Sequence, residues 1–135
     1  AEWPWGLSVW AVARDAEGRG LLLRRSASSK SFAGHWELPG GKPDPGETPD
    51  QALRRELREG TGLEVVVTGL LGSSASDLPQ VHVVRLFFSV RVESGTVRIA
   101  PEHDEFRWVD PGALASLDLA PTVGDFQHHL KGLAG

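Results

Sequence analysis

The residues best placed to do chemistry lie between Gly40 and Glu64, in the stretch GGKPDPGETPDQALRRELREGTGLE. It sets Glu47, Arg55, Glu56 and Glu59 around a helix framed by glycine turns. At about 100° per residue, Ala52, Arg55, Glu56 and Glu59 share one sector of that helix, and the small Ala52 leaves room above the carboxylates. Leu53 and Leu57 fall on an adjacent, core-facing sector, and Arg54 and Arg58 point to solvent. Glu56 and Glu59 stand three apart and are therefore neighbours. Two adjacent carboxylates repel unless something positive lies between them. A hard divalent cation with oxygen ligands meets that need, and Mg²⁺ keeps several waters and bridges to phosphate. Glu47 and Arg55 can pair across the loop–helix junction, while the paired glycines let a backbone carbonyl approach a cation. Taken alone, Glu56 and Glu59 also fit a solvated helix face, and only the surrounding spacing favours a metal.

The elements that must hold these groups follow from pattern. Thr48 suits an N-cap, Pro49 the first helical position, and Gln51 completes a capping box. The helix runs to about Glu59 and ends at Gly60 or Gly62, because glycine readily takes the left-handed C-terminal conformation. Leu7–Ala13 and Gly20–Arg24 read as strands joined through the Asp15–Gly18 turn into a hairpin. Ser26–His35 is a small, polar loop, followed by a short extended piece, Trp36–Leu38, that Pro39-Gly40-Gly41 interrupts. Leu63–Leu71, Val81–Val92 and Phe106–Val109 read as strands, with a further short strand at Gly95–Ile99 and a polar loop at Gly72–Gln80. Pro111–Leu117 and Val123–Leu133 read as helices. Strands on both sides of a central helix, with helices at the end, predict a mixed sheet covered on both faces.

The segment resembles the Nudix box, G-x5-E-x7-R-E-U-x-E-E-x-G-U, where U is a bulky aliphatic residue. Gly41 starts the match; Glu47, Arg55-Glu56-Leu57, Glu59, Gly62 and Leu63 follow at the required spacing. The one departure is Gly60, where the second glutamate of the pair belongs. The lead-in Trp36-Glu37-Leu38-Pro39-Gly40-Gly41 is similar to the family's, and Glu102–Val109 resembles the strand that often supplies a further acid. The likeness covers roughly residues 5 to 133.

The resemblance implies an α/β fold, the Nudix α/β/α sandwich with a mixed central sheet, in a single domain over residues 1–135. It implies hydrolysis of a nucleoside diphosphate linked to another group, with Mg²⁺ or Mn²⁺ as cofactor. By position, Glu56 and Glu59 become metal ligands, Glu56 also a base for water, and the Gly41 region a carbonyl ligand. Glu47 and Arg55 become the brace between loop and helix. Gly60 cannot bind metal through a side chain, and as a helix-interior glycine it costs about 1 kcal/mol relative to Ala and could shorten the helix. Glu102, Asp104 and Glu105 are the substitutes at hand, with Glu105 preferred because it adjoins the Phe106 strand; the same cluster also reads as a surface turn. If nothing replaces the lost ligand, the alternative is a Nudix-fold nucleotide-binding or sensing module with impaired catalysis.

Other residues admit two readings. Phe32, in the loop before Trp36, is the best-placed ring for stacking on a base. Lys42 and His82 are candidate substrate contacts, although His82 also suits a structural role, as does His35. His128 and His129 point about 100° apart on a helix and read as surface residues. Trp10, Trp36 and Trp108 read as packing, while Trp3 and Trp5 cover a sheet edge or fray. Gly40-Gly41-Lys42 is no Walker loop, because Pro43 follows the lysine where Ser or Thr is needed.

Composition sets outer limits. The 135 residues are 40% hydrophobic and 24% charged, which suits one globular domain. No cysteine is present, which removes disulfides, thiolate nucleophiles and zinc–thiolate sites. A net charge of −4 with no basic block argues against a long nucleic acid as partner and leaves a small-molecule nucleotide. There is no apolar run long enough to span a membrane, and AEWPWGLSVW lacks the marks of a signal peptide. A cytoplasmic location is the default, and a homodimer is compatible with the sequence.

Overall fold

A computed structural model describes residues 2–124. Its strands are β1 (Trp5–Ala13), β2 (Gly20–Arg25), β3 (Trp36–Glu37), β4 (Gly40–Gly41), β5 (Glu64–Leu78), β6 (Val81–Ser94) and β7 (His103–Val109). The helix α1 (Pro49–Thr61) stands between β4 and β5. A 3₁₀ turn (Pro111–Ser116) and the short helix α2 (Pro121–Gly124) follow β7.

The strands form a four-stranded sheet in the order β4-β1-β6-β5 and a three-stranded one in the order β3-β2-β7. The larger sheet is mixed: β1 runs parallel to β6, whereas β4 and β5 are antiparallel to their neighbours. Strand alternation sends successive side chains to opposite faces. Val9, Ala11 and Ala13 of β1 therefore join Leu21 and Leu23 of β2 in one core, closed by Ala52, Leu53 and Leu57 of α1. Val12, Leu22 and Phe87 point the other way, into a second core with Leu114 and Val123. Helical elements thus cover both faces, which is the α/β/α layering. Trp36 lies buried in the second core, with the Arg107 guanidinium 4.9 Å from its ring centroid. Leu53 is fully buried, so truncation to Ala would cost about 2–5 kcal/mol.

Several details depart from the sequence expectations. β1 and β2 do not form a ladder; beyond the turn they share only the Arg14–Gly20 bridge before diverging into separate sheets. The 72–80 segment is strand as far as Leu78, because β5 continues to pair with β6 through register shifts near Gly69 and Gly72. Residues 95–99 are not a strand; they run beside the end of α1, where the Arg98 N–H donates to the Thr61 carbonyl. Pro111–Ser116 is a 3₁₀ turn rather than an α-helix. Ala52 is fully buried and packs in the core with Leu53 and Leu57. His128, His129 and most of the last predicted helix lie outside the described residues.

Helix α1 keeps its predicted start, with Thr48 and Gln51 exchanging the two hydrogen bonds of a capping box and Pro49 in the first turn. Its end differs. Gly60 neither stops nor shortens it: the helix continues to Thr61 and is capped by Gly62 at φ 75°. The Thr61 hydroxyl donates to the Leu57 carbonyl at 2.6 Å, and the Ala100 N–H donates to the Gly60 carbonyl at 3.3 Å. The first bond, within the helix, and the second, from outside it, hold the last turn against the intrinsic cost of the glycine.

Candidate active site

The Arg55 guanidinium is the hub of the site. Its Nε and Nη2 donate to the two Glu47 carboxylate oxygens at 2.8 and 2.9 Å, a forked pairing that fixes the guanidinium plane. Nη2 also donates to the Lys42 carbonyl at 3.1 Å. Nη1 reaches Glu56 at 2.9 Å and Glu59 at 3.3 Å. Glu47 in turn accepts the Asp44 N–H at 2.7 Å. One arginine therefore ties the loop after β4 to the helix and lies between the two carboxylates.

The same packing explains Gly41. A β-carbon there would fall 2.6 Å from the Glu56 carboxyl carbon, so only a glycine lets β4 pass over that side chain. At the preceding position a β-carbon would land on the Val9 carbonyl oxygen, within the β1–β4 pairing. The two glycines thus serve different neighbours: Gly40 the sheet, Gly41 the acid.

Electrostatics separate the acids. Burial pushes the Glu56 carboxyl above the ordinary glutamate range, with Arg55 pulling against it and Glu59 adding repulsion. Glu47 lies below that range, because the Arg55 hydrogen bond and the Asp44 N–H both favour its anion. Arg55 is raised in consequence, first by its bond to Glu47.

Glu56, Glu59, Glu47, Arg55 and Gly41 are thus brought together. The Lys42 backbone joins them through its carbonyl, while its side chain is exposed. Glu105 is not gathered with them: it sits on β7, ion-paired with Arg24 at 2.9 Å and Arg107 at 3.1 Å. Asp104 is likewise held by Arg24, at 2.7 Å. Among the described residues no three acids or histidines converge closely enough to hold a metal by themselves. Glu102, exposed on the turn before β7, follows two residues after the Ala100–Gly60 contact. The 98–100 backbone before it runs along the helix end through Arg98–Thr61 and Ala100–Gly60, contacts between distant segments that strand adjacency did not reveal.

Phe32 is half exposed in the loop before β3, with a positive φ of 52° and the His35 ring edge-on at 5.9 Å. His82 is elsewhere. Its Nδ1 lies 2.6 Å from Asp77, and the Trp5 ring lies 4.6 Å from its own. It pairs with Trp5, four residues along β1 from the Val9–Gly41 register and so about 13 Å from it.

The donor set suits a hard cation only in part. Two carboxylates and a nearby glycine carbonyl offer oxygen ligands, which match Mg²⁺ or Mn²⁺ when water completes the shell. The sequence reading did not anticipate Glu37, which is buried beside His103 and Arg25; a carboxylate within an apolar strand run was the available signal.

The fold and this box-like constellation agree with the comparisons. Residues 4–130 match the NUDIX domain, and the chain belongs to that family. Within it, the chain is a MutT-like Nudix pyrophosphohydrolase. A MutT protein from Methanosarcina mazei Go1 has 33% identity and a TM-score of 0.85, covering 98% of this chain and 96% of its own. The E. coli ORF135 protein has 30% identity and a TM-score of 0.81, with 97% and 91% covered. An 8-oxo-dGTP diphosphatase from Proteus vulgaris is 49% identical over 70 residues, which span 52% of this chain and 62% of that relative. The nucleoside triphosphatase NudI of Escherichia coli O1:K1 / APEC is 30% identical over 114 residues, 76% of this chain and 81% of that one. No helix among the described residues is long and apolar enough to cross a membrane.

Proposed function

We propose that this protein hydrolyses a phosphoanhydride bond in a nucleoside triphosphate or related nucleoside diphosphate compound, with Mg²⁺ or Mn²⁺. The observation that carries the reading is the Arg55 hub, which holds Glu56 and Glu59 beside Gly41 in the family's box. The relatives' names, 8-oxo-dGTP diphosphatase and nucleoside triphosphatase, support a nucleotide substrate. Glu56, Glu59 and the Gly41 carbonyl would hold the metal, which when bound stabilises charge developing on the phosphate oxygens. Glu56, whose pKa burial has raised, accepts the proton of the attacking water. The new bond forms between water oxygen and phosphorus as the anhydride P–O bond breaks, and the leaving phosphate carries away the electron pair. Glu47 and Arg55 keep the loop against the helix. Phe32 and Lys42 face the nucleotide, and Glu102, two residues beyond the Ala100–Gly60 contact, is the acid assigned to supply what Gly60 lacks.

A second reading rests on Gly60 itself. With that ligand gone and no group of three acids or histidines among the described residues placed to hold a metal, the chain would bind nucleotide without rapid turnover. One experiment separates them: a nucleotide panel with Mg²⁺ or Mn²⁺, with products identified. Release of pyrophosphate or phosphate that Glu56→Gln abolishes supports the hydrolase. Nucleotide-dependent thermal stabilisation with no product supports the binding module.

A further inference from the structure

Three side chains outside the Nudix box form a second polar cluster within the smaller sheet. Glu37 of β3 is buried, its side chain 8% exposed, and accepts from Arg25 Nη1 at 3.2 and 3.1 Å on its two oxygens. His103 of β7, 11% exposed, approaches the same carboxylate at 2.7 Å through Nε2. An ionised carboxylate can only accept, so Nε2 is the donor. The other ring nitrogen, Nδ1, is buried with no hydrogen-bond partner. The Glu37 contact alone therefore orients the imidazole.

Arg25 passes this order outward. Its Nη2 donates to the Ser29 hydroxyl at 2.8 Å and its Nε to the Ser31 carbonyl at 2.8 Å. Its backbone closes the loop by exchanging hydrogen bonds with Gly34 and His35 at 2.8 and 2.9 Å. Within that loop stands Phe32, in the left-handed conformation that a bulky residue adopts only when its surroundings impose it. On the other side, the His103 N–H donates to the Ala100 carbonyl at 3.0 Å, and the Ala100 N–H reaches Gly60. The cluster therefore joins the Phe32 loop to the chain that carries Glu102 past the end of α1.

We propose that His103 is a positioning residue, which through Glu37 and Arg25 holds the 26–35 loop in the shape that receives the nucleotide. This rests on the reading of that loop as the nucleotide side of the site. His103 touches no reacting atom in this account; it sets the loop, and the loop sets substrate affinity.

The test compares His103→Ala with His103→Gln, whose amide can still donate to Glu37. Amide hydrogen exchange over residues 26–35 is measured on the free protein, and kinetics with the nucleotide the wild type turns over. In His103→Ala, loop exchange should accelerate about tenfold and KM rise about tenfold, with kcat changed less than about twofold, as expected for a lost hydrogen bond to a charged group. His103→Gln should recover most of both effects. Unchanged loop exchange in His103→Ala, a fall in kcat at constant KM, or a Gln variant as impaired as the Ala variant would each overturn the proposal. If His103→Ala does not fold, Arg25→Lys, which keeps the charge but loses the fork, must show the faster loop exchange. A wild type that turns over no nucleotide refutes the proposed function, while loop exchange still decides the role of His103.

Discussion

Gly41 and Glu56 are so close that a β-carbon on the first would stand 2.6 Å from the carboxyl carbon of the second. The strand therefore lies over the acid it would serve, and Gly41→Ala must push Glu56 aside. Because displacement of about 1 Å can cost about 10²-fold, kcat/KM of Gly41→Ala should fall by about that factor while circular dichroism shows the fold intact. Wild-type kinetics in this variant would remove Glu56 from the reacting geometry.

Glu56→Gln keeps the shape but removes the anion. Its kcat should fall by about 10²- to 10⁴-fold, the usual worth of a positioned base. Glu59→Gln should instead raise the Mg²⁺ concentration needed for half-maximal rate, since its carboxylate is more exposed, 64% against 26% for Glu56. Metal titrations of the two variants read the difference, and identical behaviour would contradict the division of roles.

The acids should titrate apart. Burial raises Glu56 from its ordinary 4.5, so between that value and its folded one the native chain holds more protons than the unfolded chain. Glu56 therefore subtracts stability as pH rises through that window, and turnover falls on acidification at a higher pH than an ordinary glutamate would give. Glu47, lowered by Arg55, acts oppositely: its contribution is present above 4.5 and disappears as pH falls through its folded value. Carbon-detected titration of Arg55→Met without metal should move both carboxyls upward. A downward shift of either would refute the assigned partners.

Gly60 has open space where a β-carbon would stand, inside a helix that runs on to Thr61. Gly60→Ala should therefore stabilise the fold by about 1 kcal/mol in urea melts. Gly60→Glu restores the acid of the box without steric cost. A rise in kcat/KM of about tenfold or more would show that the wild type lacks a ligand, whereas a change below about threefold would show that another acid, Glu102 first, already supplies it.

Helix α1 was legible in detail because its signals are local: the capping box, the proline and the Leu53–Leu57 stripe act within a few residues of one another. The Glu47–Arg55 pairing was legible too, since eight residues across one loop–helix junction leave little conformational choice. The separation of β1 from β2 was not, because a turn between two apolar strands looks the same whether the strands pair or diverge. Nor was the partnership of Glu105 with Arg24, or of His82 with Trp5 and Asp77, all set by register between strands.

The sequence by itself determined the family, the helix and the identity of the acids, for these depend on residue type and short spacing. Only the tertiary structure decided which acids meet. It turned Glu105 toward arginines on β2 and β7, brought the 98–100 chain against the end of α1, and buried Glu37 between His103 and Arg25. The contacts of Glu105 with Arg24, of Ala100 with Gly60 and of His103 with Glu37 join segments dozens of residues apart, so their geometry comes from sheet register and core packing, which short-range pattern does not encode.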